Sequence, residues 1–163
     1  MDRTLVGDTI GVVFVTSHVL AGALIGRVLR GRPVAAFGAG VLSHLIMDSC
    51  PHWGIVAGAP GAHEQFLRVA RCDGCAALAA MAAGAGLAAA GDRSAVLGAM
   101  AGAAIVDADK PCEHFFGFNP FPMWVQHLHA TIQRESPHRL PHEIAAAAGL
   151  LAVVLWTGSR RGG

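Results

Sequence analysis

The stretch VAAFGAGVLSHLIMDSCPHWG, residues 34–54, is an apolar helix candidate that carries polar side chains at regular intervals. His44, Asp48 and His52 follow one another at four-residue spacing, which places side chains on one face of an α-helix. Pro51 ends this helix, because proline has no backbone N–H and clashes with the preceding turn. His44 and Asp48 therefore belong to the helix, and His52 lies just past its end, where it can fold over the same face.

The composition of the whole chain indicates a membrane protein. Of its 163 residues, 53% are hydrophobic and 14% are charged, whereas a soluble domain carries about 25% charged residues. The net charge is +1 and no basic stripe with aromatic residues is present, so nothing points to nucleic acid as a partner. Nine histidines accompany a single lysine, which is unusual for a bundle that only faces lipid. We expect one membrane-embedded domain over residues 1–163.

Five apolar segments predict an all-α fold, an integral membrane bundle of about five short helices. A spanning helix needs about 20 residues, so the first segment is long enough and the others are short. Two polar segments, Pro51–Gly74 and Asp107–His142, interrupt the pattern and are expected as loops. Arginines near the other helix ends place both loops on the extracytoplasmic face of the cell membrane, by the positive-inside rule. The apolar segments are Thr9–Leu29, Val34–Ser49, Cys75–Ala90, Ser94–Val106 and Glu143–Trp156.

Small residues at helical spacing predict close packing between these helices. Gly22-x-x-x-Gly26 and Gly98-x-x-x-Gly102 would let helix backbones approach each other closely. The alternative is a general bias of the chain toward alanine and glycine.

Ionisable side chains inside apolar segments are costly in a membrane, so they mark candidate functional sites. His18, His44, Asp48 and Asp107 lie about 9 to 15 residues from the arginine-rich ends of their helices, a layer about 9 Å thick. Imidazole and carboxylate groups are ligands of zinc, manganese and iron. The sequence therefore predicts a divalent-metal site, with zinc as the first expectation. The candidate ligands are His18, His44, Asp48, His52, Asp107, Asp109, His138 and His142.

Three acids are candidates for a general base beside the metal, namely Asp48, Asp109 and Glu143, and the sequence does not choose between them. Pro141 suits the first turn of a helix, so His142 and Glu143 are expected at the beginning of the last helix. One or two ions are compatible with the residue types. For His18 alone, the alternative is a hydrogen-bonded packing role.

The other histidines and the cysteines receive no metal role. His127 and His129 share a face only on a strand, whereas on a helix they lie about 200° apart. We therefore do not expect these two to bind one ion together. Cys72 and Cys75 form a CxxC pair without a second pair elsewhere in the chain.

Two stretches resemble a known family. SHVLAGALIG, residues 17–26, followed by GAGVLSHLIMDSCPHWG, residues 38–54, resembles small bacterial membrane proteins described as membrane-bound metal-dependent hydrolases. The HxxxD helix with a following histidine is also similar to zinc-dependent phospholipases C and related nucleases. The resemblance implies a polynuclear metal site, and IVDADK places Lys110 where that family has a histidine. The residues that match its motifs are His18, His44, Asp48, Asp107, Asp109, His138 and His142.

The resulting hypothesis is a membrane-bound hydrolase that acts on a lipid or another phosphoester through a metal-activated water. Its expected partners are the lipid bilayer and a lipid-like substrate, and a homo-oligomer or a larger membrane complex is possible. One alternative is a non-catalytic small subunit of such a complex, in which a metal clamps short helices together. Another is an electron-transfer subunit with His18 and His44 as axial ligands of haem b.

Overall fold

A computed structural model describes residues 9–10, 14–56 and 59–159, and most of them are helical. The predicted all-α class is confirmed. In chain order the elements are β1 Thr9–Ile10, α1 Val15–Val28, α2 Pro33–Asp48, β2 His52–Trp53, β3 Ile55–Val56, α3 Ala62–Gly86, α4 Arg93–Ile105, a 3₁₀ turn Val106–Ala108, α5 Asp109–Pro111, a π-helical turn Cys112–Phe116, α6 Met123–Ile132, β4 Glu135–Ser136 and α7 Leu140–Ser159.

The centre of the fold is formed by α4, which packs against both α1 and α2. A Cβ atom on Gly22 would lie 2.8 Å from the carbonyl oxygen of Ala99, and one on Gly98 would lie 2.7 Å from that of Pro33. Real Cβ contacts are longer than this, so both positions require glycine if the backbones are to stay in place. The predicted close packing is present, and it extends to the partner glycines of the two motifs, Gly26 and Gly102.

Three helices differ in length from the prediction. Helix α7, Leu140–Ser159, is 20 residues long, whereas the predicted segment Glu143–Trp156 was too short to span a membrane. Helix α3 begins at Ala62, within the predicted loop. Its polar first half continues without a break into the apolar second half. Helix α1 begins at Val15 rather than at Thr9, because Thr9–Ile10 pairs as an antiparallel strand with Ile55–Val56. Pairing between segments so far apart in sequence leaves no trace in local hydrophobic periodicity.

The polar segment Asp107–His142 was expected as a loop and instead contains several ordered elements. Within it, β4 pairs in parallel with β2, so that His52 lies opposite Glu135. The backbone N–H of Arg134 also donates to the carbonyl oxygen of Asp48, at 3.1 Å. The two polar segments therefore meet at the end of α2, and this junction places α6 beside the same end.

One helix in the described part of the chain, α7, is long and apolar enough to cross a membrane. Helices α1 and α2 are apolar but only 14 and 16 residues long. Most of α7 is exposed, and it is held to α1 by Arg27, which donates to Val154 O and to the Thr157 hydroxyl. Arg27 is buried in the last turn of α1. The multi-spanning arrangement stays a prediction.

Candidate metal centre

Three histidines and two aspartates meet where α1, α2, α6 and the end of α4 come together. His18 comes from α1, His44 and Asp48 from α2, Asp107 from the 3₁₀ turn after α4, and His129 from α6. All five residues are buried, and none is more than 7% exposed. We call these five residues the His/Asp cluster.

Asp48 lies at the centre of the His/Asp cluster. Its Oδ1 is 3.3 Å from His18 Nε2, and its Oδ2 is 3.2 Å from His44 Nε2 and 2.9 Å from His129 Nε2. Asp107 lies on the other side, with Oδ2 3.9 Å from His44 Nε2 and Oδ1 3.7 Å from His129 Nε2. Donor atoms about 2.1 Å from a tetrahedral ion lie about 3.4 Å from one another. The observed spacings are close to that value.

Two overlapping groups within the His/Asp cluster have the spacing needed to hold an ion. One is His18, His44 and Asp48, and the other is His44, Asp107 and His129. Within each group the ligand atoms lie within 4.8 Å of one another. Because the two oxygens of Asp48 face different histidines, this carboxylate can serve one ion or bridge two. The geometry is thus compatible with a mononuclear or a dinuclear site.

Neighbouring groups fix the orientation of the rings. His44 Nδ1 is 2.7 Å from the carbonyl oxygen of Ala103, so a proton on Nδ1 leaves the Nε2 lone pair directed at the carboxylates. The His18 ring stacks on the His44 ring, with centroids 4.0 Å apart and planes at 24°. Gln133 Nε2 lies 3.2 Å from His129 Nε2. An imidazole held by a backbone carbonyl is a usual arrangement for a metal ligand.

Several buried polar atoms of the His/Asp cluster have no hydrogen-bond partner among the described residues. They include Nε2 of His18 and His44, Oδ1 of Asp48 and Oδ2 of Asp107, which lie at ion-pair distance from one another but without the geometry of a hydrogen bond. Leaving one polar atom buried and unsatisfied costs about 1–3 kcal/mol. Since these atoms face one another, a cation between them would satisfy several at once, and the donor set suits zinc, manganese or iron.

Local sequence explains how α2 brings its ligands to this point. His44 and Asp48 are four residues apart and share a face of the helix. One turn earlier, Gly40 lies so close to α4 that a Cβ atom there would be 2.9 Å from the backbone nitrogen of Ala103. This close approach is what brings the His44 ring to the Ala103 carbonyl.

Four predicted ligands lie outside both three-residue groups. His52 is buried in β2, with Nδ1 3.0 Å from a backbone carbonyl oxygen. Asp109 accepts the backbone N–H of Lys110 at 2.8 Å. His138 and His142 are exposed. The structure therefore brings His18, His44, Asp48 and Asp107 together and leaves the other four apart from them.

The three candidate bases occupy different places. Asp48 is inside the His/Asp cluster, and Asp109 is beside it in sequence but turned toward its own backbone. Glu143 is half-buried in the first turn of α7, the position predicted for it. The assignment of a base stays a prediction.

His129 is the member of the His/Asp cluster that the sequence did not reveal. On α6, His127 and His129 point to different sides, so His127 is exposed while His129 is 4% exposed. His129 therefore lies in the His/Asp cluster, and His127 does not. The feature of the sequence that could have singled out His129 is Gln133, a second polar residue four positions later on the same face.

A cavity of about 420 Å³ adjoins the His/Asp cluster, between α1, α3 and the end of α4. Its walls are mainly apolar, and Asp107 and Lys110 lie at one side of it. Lys110 Nζ is 3.2 Å from Asp107 Oδ1. Burial lowers the pKa of Lys110, but Asp107, Glu135 and Asp109 raise it more, and the net direction is upward. Lys110 therefore carries a positive charge beside the carboxylates.

Comparison of the chain with protein-family models, with curated proteins and with solved structures finds no match to any of them. The resemblance to metal-dependent hydrolases therefore rests on the quoted motifs and stays a prediction.

Proposed function

We propose that the protein is a membrane-embedded, metal-dependent hydrolase that binds one or two divalent ions, zinc first, at the His/Asp cluster. The observation that carries the proposal is the convergence of five buried, ligand-type side chains from four separate parts of the chain. The bond from His44 to the Ala103 carbonyl supports it further, because it leaves the ligand nitrogen free to face the carboxylates.

The substrate class we propose is a phosphoester, with a lipid as the leading candidate. A divalent ion at such a site supplies an activated water and stabilises charge on the attacked group. Lys110, 3.2 Å from Asp107, adds a positive charge that can bind a phosphoryl oxygen. Asp48, Asp109 and Glu143 remain the candidates for the general base.

Exposed apolar residues support a location in the membrane. Helix α7 is long enough to span it, and Trp156 on this helix is 56% exposed. An apolar side chain on α2, Leu42, and two aromatic ones, Phe116 before α6 and Trp124 in its first turn, are also exposed. We propose that α1 and α2 also lie in the cell membrane, where their short length is accommodated by local thinning of the bilayer. The site would then face the extracytoplasmic side, as the arginine distribution predicts.

The test is elemental analysis of the purified full-length chain, together with assays of phosphoester hydrolysis on bis(p-nitrophenyl) phosphate and on phospholipid vesicles. Wild type should contain metal, whereas His44→Ala and Asp48→Ala should lose it together with hydrolysis. His127→Ala is the control, because this histidine is exposed on the opposite side of α6. A metal-free wild type, or a metal content unchanged in both cluster variants, would overturn the proposal.

A non-catalytic subunit with a structural metal is the second candidate, favoured by the position of the His/Asp cluster between helices. Metal without hydrolysis, and a large loss of thermal stability on chelation, would select it. The haem alternative predicts a Soret band. It is less favoured because the His18 and His44 rings stack with centroids 4.0 Å apart, which leaves no room for a porphyrin between them.

A further inference from the structure

We infer that the cavity beside the His/Asp cluster binds the apolar tail of an anionic amphiphile whose head group lies at Lys110 and Asp107. The inference rests on the proposed function for the chemistry at the head group, and it names the substrate class of that same site. Binding of the tail needs no metal, so it can be tested separately.

The size and the walls of the cavity suit a hydrocarbon chain. Its volume of about 420 Å³ is within the range of about 300–1,000 Å³ that is usual for small-molecule sites. The walls come from Val15 of α1, Phe66 and Ala70 of α3, Ala104 of α4, and Phe115 of the π-helical turn. Apolar walls of this kind bind alkyl groups through the hydrophobic effect and offer no polar partner along the length of the chain.

The charged groups at the cavity determine which end of a bound amphiphile holds the head group. Asp73 is engaged in holding α1, because its Oδ1 accepts the backbone N–H of Thr16 at 3.3 Å. The Lys110 ammonium has three donors, and the structure directs one of them to Asp107. Lys110 is therefore the group that can bind an anion here. Since Asp107 belongs to both the cavity and the His/Asp cluster, the head group of a bound amphiphile lies next to the candidate metal ligands.

Two glycines of α3 provide a matched pair of variants. Gly74 lines the cavity, and a Cβ atom on it would meet no atom within 4 Å. Gly74→Leu therefore fills the cavity without forcing the backbone to move. Gly86→Leu makes the same change in the same helix, at an exposed position that is also open and lies outside the cavity wall. Lys110→Met removes the charge, and Lys110→Arg keeps it.

The experiment is photolabelling of the purified full-length chain with dodecyl phosphate that carries a diazirine at the end of its chain. Dodecanol and dodecanoate with the same diazirine are the neutral and carboxylate controls. Wild type should be labelled at the cavity wall by both anionic probes, and unlabelled dodecyl phosphate should compete. Gly74→Leu should reduce labelling by every probe at least about tenfold, which corresponds to 1.4 kcal/mol of affinity. Gly86→Leu should not reduce it.

The Lys110 variants test the head group. Lys110→Met should weaken labelling by the anionic probes about tenfold, the usual loss for one charge-assisted hydrogen bond, and leave the neutral probe unchanged. Lys110→Arg should restore labelling. If dodecyl phosphate binds this way and dodecanoate does not, the head group is a phosphate; the reverse assigns a carboxylate.

Labelling that Gly74→Leu does not reduce, or that is spread over the exposed helix faces, would overturn the inference. The assays on metal content and hydrolysis separate this failure from failure of the proposed function. If chelated or metal-free protein still loses labelling in Gly74→Leu, the cavity binds the amphiphile even though the hydrolase proposal has failed. If metal and hydrolysis are present but Gly74→Leu does not reduce labelling, only the inference about the cavity fails.

Discussion

The fold separates the histidines of the chain into two sets. The sequence assigned His18 and His44 to the same metal site as three other histidines, whereas His129 was not assigned to it. In the His/Asp cluster, three ring nitrogens lie within 3.3 Å of one carboxylate and are buried. The outer histidines are His52, His138 and His142. His52 is buried, with Nδ1 on a backbone carbonyl oxygen, but it belongs to neither three-residue group, and His138 and His142 are exposed before α7 and in its first turn.

The difference shows that a similar predicted depth along the helices is not enough to bring side chains together. His18, His44 and Asp48 sit on helices α1 and α2, which glycines bring into close contact with α4, so these side chains are fixed toward one point. The outer histidines come from β2, from the turn after β4 and from the first turn of α7, and none of them belongs to either three-residue group. The following predictions test that contrast, from the largest expected effect to the smallest.

Replacing the central carboxylate should have the largest effect. Asp48→Asn keeps the shape of the side chain but removes the negative charge that faces His18, His44 and His129. We expect metal affinity to fall at least about 100-fold, the upper end of what a supporting residue contributes. Metal titration of chelated protein measures this directly. Unchanged affinity with an intact fold would mean that the cluster is a hydrogen-bonded packing group.

His127 and His129, two residues apart on α6, are a matched pair of variants for testing which side of the helix binds metal. His129→Ala should weaken metal binding at least about tenfold, because His129 Nε2 is 2.9 Å from Asp48 Oδ2. His127→Ala should leave it unchanged, since His127 is exposed. Metal content after dialysis at a fixed free zinc concentration distinguishes them. Equal losses in both variants would contradict the orientation of α6.

Glycine packing should matter less than the ligands but more than the outer histidines. Gly102→Ala places a methyl group against the backbone of Phe37, and overpacking of this kind costs about 1–3 kcal/mol. Gly149→Ala in α7 meets no atom within 4 Å and should be neutral or stabilising by up to about 1 kcal/mol. Thermal unfolding in detergent measures both. Equal behaviour would show that the close approach of α4 to α2 is not required.

The outer histidines should give the smallest effect. His138→Ala and His142→Ala remove exposed side chains, and exposed substitutions usually change stability by less than about 0.5 kcal/mol. Metal content and melting temperature should stay at the wild-type values. A loss of metal in either variant would return these residues to the ligand set.

Part of the site was predictable because its signals are local. The four-residue spacing of His44 and Asp48 fixes their shared face whatever surrounds the helix, and apolar neighbours mark His18 and Asp107 as costly unless they have a role. His129 was not predictable in this way, because the face of α6 that turns inward depends on how α6 packs beside the end of α2. The length of α3 was missed for a similar reason, since its polar half looks like a loop.

The sequence by itself determined the helical class, the small-residue contacts and four members of the His/Asp cluster, because helix periodicity and burial of polar residues follow from local chemistry. Only the tertiary structure decided that His129 joins them, that the outer histidines stay apart and that an apolar cavity reaches Asp107. Those outcomes depend on pairing between distant segments, such as β2 with β4, and such pairing is set by the packing of the whole chain. The stretch from Val34 to Gly54 thus supplies two members of the His/Asp cluster, and the fold supplies the rest.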